Sequence, residues 1–233
     1  MIKIKFTDLS GYVRAEYYPV PSKELLPKWY KDLEPYYDKK DVMIAEGGFT
    51  TSTAKKCMPL FDAMSSGYII KTHNDLSISR GPDGVPFFQW PDQEIIRFHS
   101  RFQAYTNPDV PLSEDVPKFI NPWAISTPFG YSCWFKNIAN SSESPFQIFE
   151  GIVDTDKYRA AVHFPFLLKD NNFSGIVPAG TPIAQVIPFK RNLFKMEIGG
   201  NKERLVATSD ERKIRSKFFN VYKDIFWSKK IYQ

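Results

Sequence analysis

Cysteine and histidine are both scarce in this sequence, with 2 Cys and 3 His among 233 residues. Cys57 and Cys133 lie far apart and no C-x-x-C pair is present, which excludes a zinc ribbon and a thioredoxin-type motif. The G-x-S-x-G, P-loop and G-x-G-x-x-G patterns are also missing, so the nucleophile elbow, the Walker-type phosphate loop and the dinucleotide fingerprint are excluded. Cys133 stands on an alternating strand between aromatic residues, which indicates a core thiol.

Long apolar runs are missing too. No run reaches the 18 residues of a membrane span, and MIKIKF at the amino terminus alternates like a strand instead of forming a signal peptide. We therefore expect no membrane partner, no secretion and two reduced thiols. The expected location is the cytoplasm, or the virus particle if a virus encodes the chain.

Aromatic residues and prolines are abundant, with 20 Phe, 12 Tyr and 18 Pro against 12 Gly. Together with the lack of long Ala/Leu/Glu/Lys stretches, this composition favours short strands and ordered loops. We predict a mainly β (or α+β) fold in a single domain, residues 1–233. The net charge of +5 fits solubility, although aromatic and basic residues alternate in FKRNLFK (189–195), so nucleic-acid binding is not excluded.

Alternation and turn spacing place the core strands at residues 67–78, 130–136, 146–153 and 183–189. Ile183, Val186 and Ile187 are predicted to be buried, with Ala184 at a tightly packed position. The proline-rich residues 107–122 are predicted to form a surface connection.

Helices are predicted near the two ends of the chain. A short amphipathic helix is expected over residues 21–37, and MPLFDAMSS (58–66) is expected to form one or two helical turns. A carboxy-terminal helix is expected over residues 208–227, with Thr208 and Glu211 as a capping box. Its apolar stripe includes Ile214, Val221 and Ile225, and it would dock on its own sheet or on a neighbouring subunit.

Four short stretches occur in the order of the motifs of the dUTPase and dCTP deaminase superfamily. SSGYIIKTHNDLSI (65–78) resembles Ser-Ala-Gly-Tyr-Asp-Leu, and PFGYSC (128–133) stands where the family has Arg-Ser-Ser-Leu. GIVDTDKY (151–158) resembles Gly-Val-Ile-Asp-Ser-Asp-Tyr, and AGTPIAQVI (179–187) resembles Gly-Asp-Arg-Ile-Ala-Gln-Leu. The resemblance implies a β-clip core over residues 65–191, with residues 1–64 as an amino-terminal extension, and a homo-oligomer in which a trimer is favoured.

The resemblance also implies roles for individual residues. Asp154, with Asp156 beside it, would be the catalytic carboxylate that orients a water, and a nucleotide would be the bound partner. The implied substrate-binding residues are Tyr131, Ser132, Tyr158 and Gln185. No cofactor is predicted, and Mg²⁺ is implied only if nucleotide hydrolysis is retained.

Several positions depart from the family pattern. Ile69 stands where the family has Asp, Tyr131 stands where it has a phosphate-holding Arg, and Lys157 displaces Tyr158 by one position. The Gly-rich carboxy-terminal segment of the family is missing. We therefore expect a dUTPase-like fold without dUTPase activity, in which Asp154 and Asp156 cap a turn. A structural or assembly protein of a virus particle is the alternative, and a nucleotide pyrophosphatase is a weaker one.

An iron site is a further alternative. His73 and Asp75 match the H-x-D half of a facial triad, with His163 as the distal ligand, which would suit a 2-oxoglutarate oxygenase. The basic residue expected about ten positions later is not in place, because Lys169 lies only six residues beyond His163.

Overall fold

Antiparallel strands are the main regular structure of the protein. The computed structural model describes residues 2–37, 51–91, 94–103, 115–216 and 221–233. In this part of the chain 14 strands form, every pairing is antiparallel, and the predicted mainly β class is confirmed. Two units are distinguished: Met1–Leu25 with Gly67–Arg191, and Leu26–Ser66 with Asn192–Gln233.

All the strands belong to the first unit. They are β1 (Lys5–Asp8), β2 (Val20–Pro21), β3 (Tyr68–Lys71), β4 (Leu76–Arg80), β5 (Pro86–Gln89), β6 (Ile96–His99), β7 (Val116–Phe119), β8 (Trp123–Ser126), β9 (Tyr131–Lys136), β10 (Phe146–Ile148), β11 (Gly151–Val153), β12 (Phe164–Leu168), β13 (Gly175–Val177) and β14 (Pro182–Lys190). They form sheets in the orders β1-β8, β10-β12-β7-β6, β11-β9-β14-β3-β2 and β13-β4-β5. The five-stranded sheet carries the residues of the candidate site.

Phenylalanine rings fill much of the core of this unit. Phe119 and Phe166 stack with ring centroids 4.4 Å apart, and Phe146 meets each of them edge-on at 4.8 and 5.0 Å. Edge-to-face and offset pairs add to the stabilisation from burial alone. Several phenylalanines of the sequence therefore form a packed cluster between strands.

Most predicted strands are confirmed, but two of the predicted strands are each divided into two. Residues 67–78 form β3 and the start of β4 with the expected break between them, and residues 146–153 divide into β10 and β11. Residues 130–136 and 183–189 correspond to β9 and β14. At β14, Ile183, Ala184 and Val186 are buried as predicted, but Ile187, which pairs with the 38% exposed Trp134, is only half-buried.

The prediction of a surface connection over residues 107–122 is wrong where the structure describes it. Residues 104–114 lie outside the described residues, but the following β7 pairs with both β6 and β12. Val116 and Phe119 are buried there. The prolines of this region suggested a loop, yet burial of the two apolar side chains favours a strand despite Pro117.

Helices make up the second unit. They are α1 (Lys28–Asp32), α2 (Met58–Ser65) and α3 (Asn201–Ser216), followed by a π-helical turn at Tyr222–Phe226. The turns predicted for residues 58–66 are confirmed as α2. The single helix predicted over residues 21–37 is wrong: Ser22–Leu25 is a 3₁₀ turn and α1 starts only after Pro27, which has no N–H to donate inside a helix.

The carboxy-terminal helix begins earlier than predicted. Thr208 lies inside α3, where its hydroxyl donates to the Arg204 carbonyl at 2.8 Å, so Thr208 is not the cap. The start is marked by Glu203, whose carboxylate accepts from the Gly200 N–H at 2.9 Å. Among the described residues, none of the helices is both long enough and apolar enough to cross a bilayer.

Asp62 of α2 ties the end of the chain into the second unit. Its carboxylate accepts a hydrogen bond from the Trp227 indole N–H at 2.9 Å and from the Lys230 ammonium at 2.7 Å. The predicted stripe of the tail is unevenly covered, because Val221 is buried whereas Ile214 and Ile225 are about half exposed. Of these three described residues, Val221 alone is buried.

Candidate functional site

The predicted acid pair lies in a tight turn directly after β11. The Lys157 and Tyr158 N–H groups both donate to the Asp154 carbonyl, at 2.9 and 2.8 Å, which reverses the chain. This turn brings the Asp154 and Asp156 side chains into contact with residues at the start of β9 and with Arg191, just after the end of β14.

Arg191 stands between the two carboxylates. Its Nη1 is 3.0 Å from Asp154 Oδ1 and 2.9 Å from Asp156 Oδ1, and its Nη2 donates to Asp156 Oδ2. Nη1 also lies 2.9 Å from Ser132 Oγ and 3.0 Å from the Tyr131 carbonyl. A planar guanidinium with several fixed donors suits this fork-like arrangement.

Asp156 is the buried member of the pair. Its side chain is 2% exposed, and Oδ2 also accepts from the Gly130 N–H at 2.9 Å. The hydrogen bonds from Arg191, helped by the one from Gly130, hold the pKa of this carboxyl at about 2. Asp156 is therefore an ionised group that links the turn to the start of β9 and the end of β14.

Asp154 is the more accessible member, with a side chain that is 51% exposed. Ser132 Oγ donates to its Oδ1 at 2.7 Å. This hydrogen bond, with the charge of Arg191 nearby, lowers the pKa of Asp154. Both carboxylates are thus stabilised as anions, and neither has the raised pKa of a general acid.

The residues of this turn do not fit a magnesium ion. Mg²⁺ is held by carboxylates together with substrate phosphates and waters. Here a permanently cationic guanidinium lies against both carboxylates, so a divalent cation at the same oxygens would be repelled. We derive no metal-dependent step at this site.

The four implied substrate-binding residues are not gathered around one ligand position. Tyr131 contributes its backbone carbonyl and Ser132 its hydroxyl to the Arg191 cluster. Tyr158 is half exposed, and its hydroxyl donates to the Ala161 carbonyl within the same turn. Gln185 is buried further along β14, where its side-chain oxygen accepts from the Ala139 N–H at 3.0 Å.

Arg191 is the residue that the sequence reasoning missed. The register pairs Ser132 with Phe189 and Tyr131 with Lys190, so Arg191, the first residue after β14, falls beside Gly130. The Arg191 N–H donates to the Gly130 carbonyl at 2.8 Å, which fixes this position. One signal was present: two acids two positions apart need a cation, and the strand predicted over residues 183–189 is followed by Lys190 and Arg191.

The proposed iron triad does not assemble. Asp75 accepts from the Ala179 N–H at 2.7 Å, and His163 Nδ1 accepts from the Asn121 N–H at 3.2 Å. No group of three or more His, Cys, Asp or Glu placed to hold a metal occurs in the described ranges. The three residues are therefore parts of local hydrogen-bonded structure.

His73 and Asp75 instead line an open cavity of about 610 Å³ in the first unit. The Tyr12 hydroxyl lies 3.4 Å from His73 Nε2, and burial lowers the pKa of this imidazole. Arg14 and Tyr17 line the same cavity, with the Arg14 guanidinium 4.8 Å from the centre of the Tyr17 ring. The cavity thus combines two phenol rings, an imidazole, a carboxylate and one guanidinium.

Comparison with known proteins adds no assignment to this geometry: no family model, curated protein or solved structure matches the chain.

Proposed function

We propose that this protein is a non-hydrolytic structural or assembly protein built on a β-clip-like core related to dUTPases. The single observation that supports this proposal best is the engagement of the acid pair. The Asp154 and Asp156 carboxylates already bind Arg191, Ser132 and the Gly130 N–H. Carboxylate oxygens that already accept from protein donors are less available to orient an attacking water, and positioning of both reactants is a large part of catalysis.

Exposed apolar side chains on edge strands favour the assembly role. Phe87 on β5, Ile152 on β11 and Ile176 on β13 are 59%, 65% and 71% exposed. Each of these strands lies at the edge of its sheet, where backbone groups are open to a partner. The resemblance makes a homotrimer the first assembly to test, and in a virus-encoded protein these surfaces would serve the particle.

The test is a hydrolysis assay of purified protein against dUTP, dCTP and the other nucleoside triphosphates with magnesium. We expect no turnover above the blank. Turnover that disappears in Asp154→Asn while the circular dichroism spectrum is unchanged would overturn the proposal and restore the enzyme interpretation.

The cavity beside His73 favours a second candidate function, the binding of a small ligand with a planar ring and an anionic group. Tyr12 offers a ring face, and Arg14, which lies over the Tyr17 ring and 3.3 Å from Glu16, offers a cation. A nucleotide at about a hundred times its Kd would stabilise the fold by roughly 2.7 kcal/mol, which is roughly 5–10 °C in Tm for a chain of this size.

Thermal denaturation with a panel of nucleotides, with and without magnesium, tests this second candidate. Arg14→Ala should remove the shift if the ligand lies in the cavity. Arg159→Ala is a matched control, since Arg159 lines a separate pocket beside β8. Equal loss of the shift in both variants would count against the cavity.

A further inference from the structure

Four large apolar side chains stand almost fully in solvent just after β14. Leu193, Phe194, Met196 and Ile198 are 104%, 88%, 88% and 92% exposed. They belong to residues 193–198, called here the apolar segment, which has neither helix nor strand structure in the single chain. Scattered exposed apolar residues are ordinary, but four within six residues mark an interaction surface.

The order of residues in the apolar segment is self-complementary. Phe194, Met196 and Ile198 alternate with Lys195 and Glu197, so an extended conformation has an apolar face and a charged face. Lys195 Nζ and Glu197 Oε1 are 3.2 Å apart, as expected for side chains on one face. Pairing two such segments antiparallel about Met196 places Lys195 of each opposite Glu197 of the other.

The other arrangement of two copies is less favourable. Parallel, in-register pairing would place each Lys195 beside its own counterpart, and like charges directly opposite each other destabilise a strand pair. Antiparallel pairing instead gives two opposite-charge pairs and places Phe194 across from Ile198. Between two copies, the charge pattern therefore favours the antiparallel direction.

We propose that the apolar segment is a dimerisation strand that pairs antiparallel with the same segment of a second copy, with the two-fold axis at Met196. A two-stranded ribbon is stable only when one face is covered. Leu205 and Val206 of α3, 70% and 60% exposed, supply apolar side chains for that cover in each copy. The segment is separate from the Asp154–Asp156 turn, so an assay of that turn neither supports nor opposes the pairing.

The area available is sufficient for a specific contact. An aromatic side chain buries on the order of 150–250 Å², and large aliphatic ones bury less. The apolar face carries three large side chains in each copy, because Leu193 falls on the charged face, and together with Leu205 and Val206 of both copies they reach the order of the roughly 1,200 Å² of total surface buried in a small specific interface. Because the interface is isologous, the contact closes at two copies instead of propagating.

Charge reversal tests the pairing by sedimentation velocity over a concentration series. Lys195→Glu and Glu197→Lys should each weaken self-association roughly tenfold or more, because both cross-strand pairs become like-charged. An equimolar mixture of the two variants should associate like the wild type, since each acidic strand then meets a basic one. The double variant Lys195→Glu/Glu197→Lys should also recover.

These side chains are exposed, so Tm and circular dichroism should not change in any of the variants at a concentration where all of them, and the wild type, are monomeric. A wild type that stays monomeric at every concentration would overturn the proposal. So would single variants that associate as well as the wild type, or a mixture that fails to recover, which would indicate pairing with another protein or another surface.

Disulfide capture tests the register on a Cys57→Ser background. Paired residues of antiparallel strands have Cα atoms about 4.5–5.5 Å apart, which is within disulfide reach. Met196→Cys should therefore give a covalent dimer on mild oxidation. Phe194→Cys alone should not, whereas a mixture of Phe194→Cys and Ile198→Cys should. Equal cross-linking of Phe194→Cys alone would reject the axis at Met196.

Discussion

At the residue scale, Arg191 determines what the acid pair can do. Its guanidinium satisfies Asp156, which is buried, and partly satisfies Asp154, which faces solvent. The hydrogen bonds to Asp156 in turn raise the pKa of Arg191 above its ordinary value. A Lys at this position would supply the positive charge but not the several fixed N–H donors of the guanidinium, so Arg191→Lys should lower Tm. Arg191→Met removes the charge as well and should lower Tm further.

The pKa of Asp156 leads to a prediction about acid stability. Because the folded value of about 2 lies below the ordinary 3.8, the native state binds fewer protons than the unfolded chain. The stabilisation is complete above about pH 4 and is lost as pH falls toward 2. Asp156→Asn should therefore flatten the fall of Tm with pH in this window, measured by thermal denaturation from pH 5 to 2.

Asp154→Asn is the matched control for that experiment. Asp154 lies in the same turn but is half exposed, so its substitution should lower Tm at neutral pH less than Asp156→Asn does. If the Tm of Asp156→Asn falls with pH as steeply as the Tm of the wild type, the pKa of about 2 for Asp156 is contradicted.

The two thiols should differ sharply in reactivity. Cys133 is buried and accepts a hydrogen bond from the Thr155 hydroxyl, and burial raises its pKa to about 11, whereas Cys57 is exposed. Since the thiolate is the reactive form, iodoacetamide should label Cys57 and leave Cys133 unmodified until the protein unfolds. Mass spectrometry of native and denatured samples measures this, and Cys57→Ser should abolish native labelling. Rapid native labelling of Cys133 would refute its placement in the core.

At the scale of the single element, the approach of the chain to β3 depends on Gly67. Its φ is +77°, and a Cβ would lie 2.1 Å from the Val186 carbonyl oxygen of β14. Gly84 has a similar φ of +79° but nothing within 4 Å of a Cβ. Gly67→Ala should therefore destabilise the fold clearly more than Gly84→Ala, because it adds a backbone clash to the same dihedral strain. Equal costs in urea denaturation would contradict this close contact.

Burial along β14 gives a second prediction at this scale. Ile183 is 4% exposed, whereas Ile152 on edge strand β11 is 65% exposed. Ile183→Ala should lower the free energy of unfolding by about 2–5 kcal/mol, and Ile152→Ala by roughly 0.5 kcal/mol or less. Urea titrations of the two variants measure the difference, and a small loss for Ile183→Ala would show that β14 is not a core strand.

Local patterns predicted the elements more reliably than their partners. The alternation around Ile183 predicted β14, and the break at Asn74 predicted the end of β3, since both depend on neighbouring residues. The Arg191 cluster was not predictable in this way, because it depends on the register between β9 and β14, which are far apart in sequence. β7 was missed because Pro117 suggested a loop while the burial of Phe119 depends on distant strands.

At the scale of the whole molecule, the amino-terminal segment is part of the first unit. Residues 1–25 belong to this unit, where β1 pairs with β8 and β2 pairs with β3. Deleting residues 2–8 would uncover Trp123 and Ile125 of β8, which are 4% and 1% exposed. The deletion should lower Tm and increase binding of an apolar dye, whereas Ile2→Ser, at an exposed position, should do neither. Unchanged dye binding after the deletion would contradict the β1–β8 pairing.

Symmetry separates the two proposed assemblies. The resemblance favours a trimer, whereas strand pairing at Met196 requires a two-fold axis. The threefold contact and the strand pairing can form in one assembly only when trimers pair, for example in a hexamer. The number of copies measured by sedimentation, two, three or six, therefore distinguishes strand pairing, threefold packing and their combination.

The position of Arg191 also has a mechanical consequence. β14 lies between β9 and β3 in the five-stranded sheet, and the chain leaves it through Arg191 into the apolar segment. A pull on the apolar segment along the strand would load the hydrogen bonds of both neighbours at once, in shear, instead of opening them one at a time. The ion pairs of Arg191 with Asp154 and Asp156 would bear this force first. Tension from a bound partner would therefore reach β14 in the middle of the sheet instead of separating an edge strand.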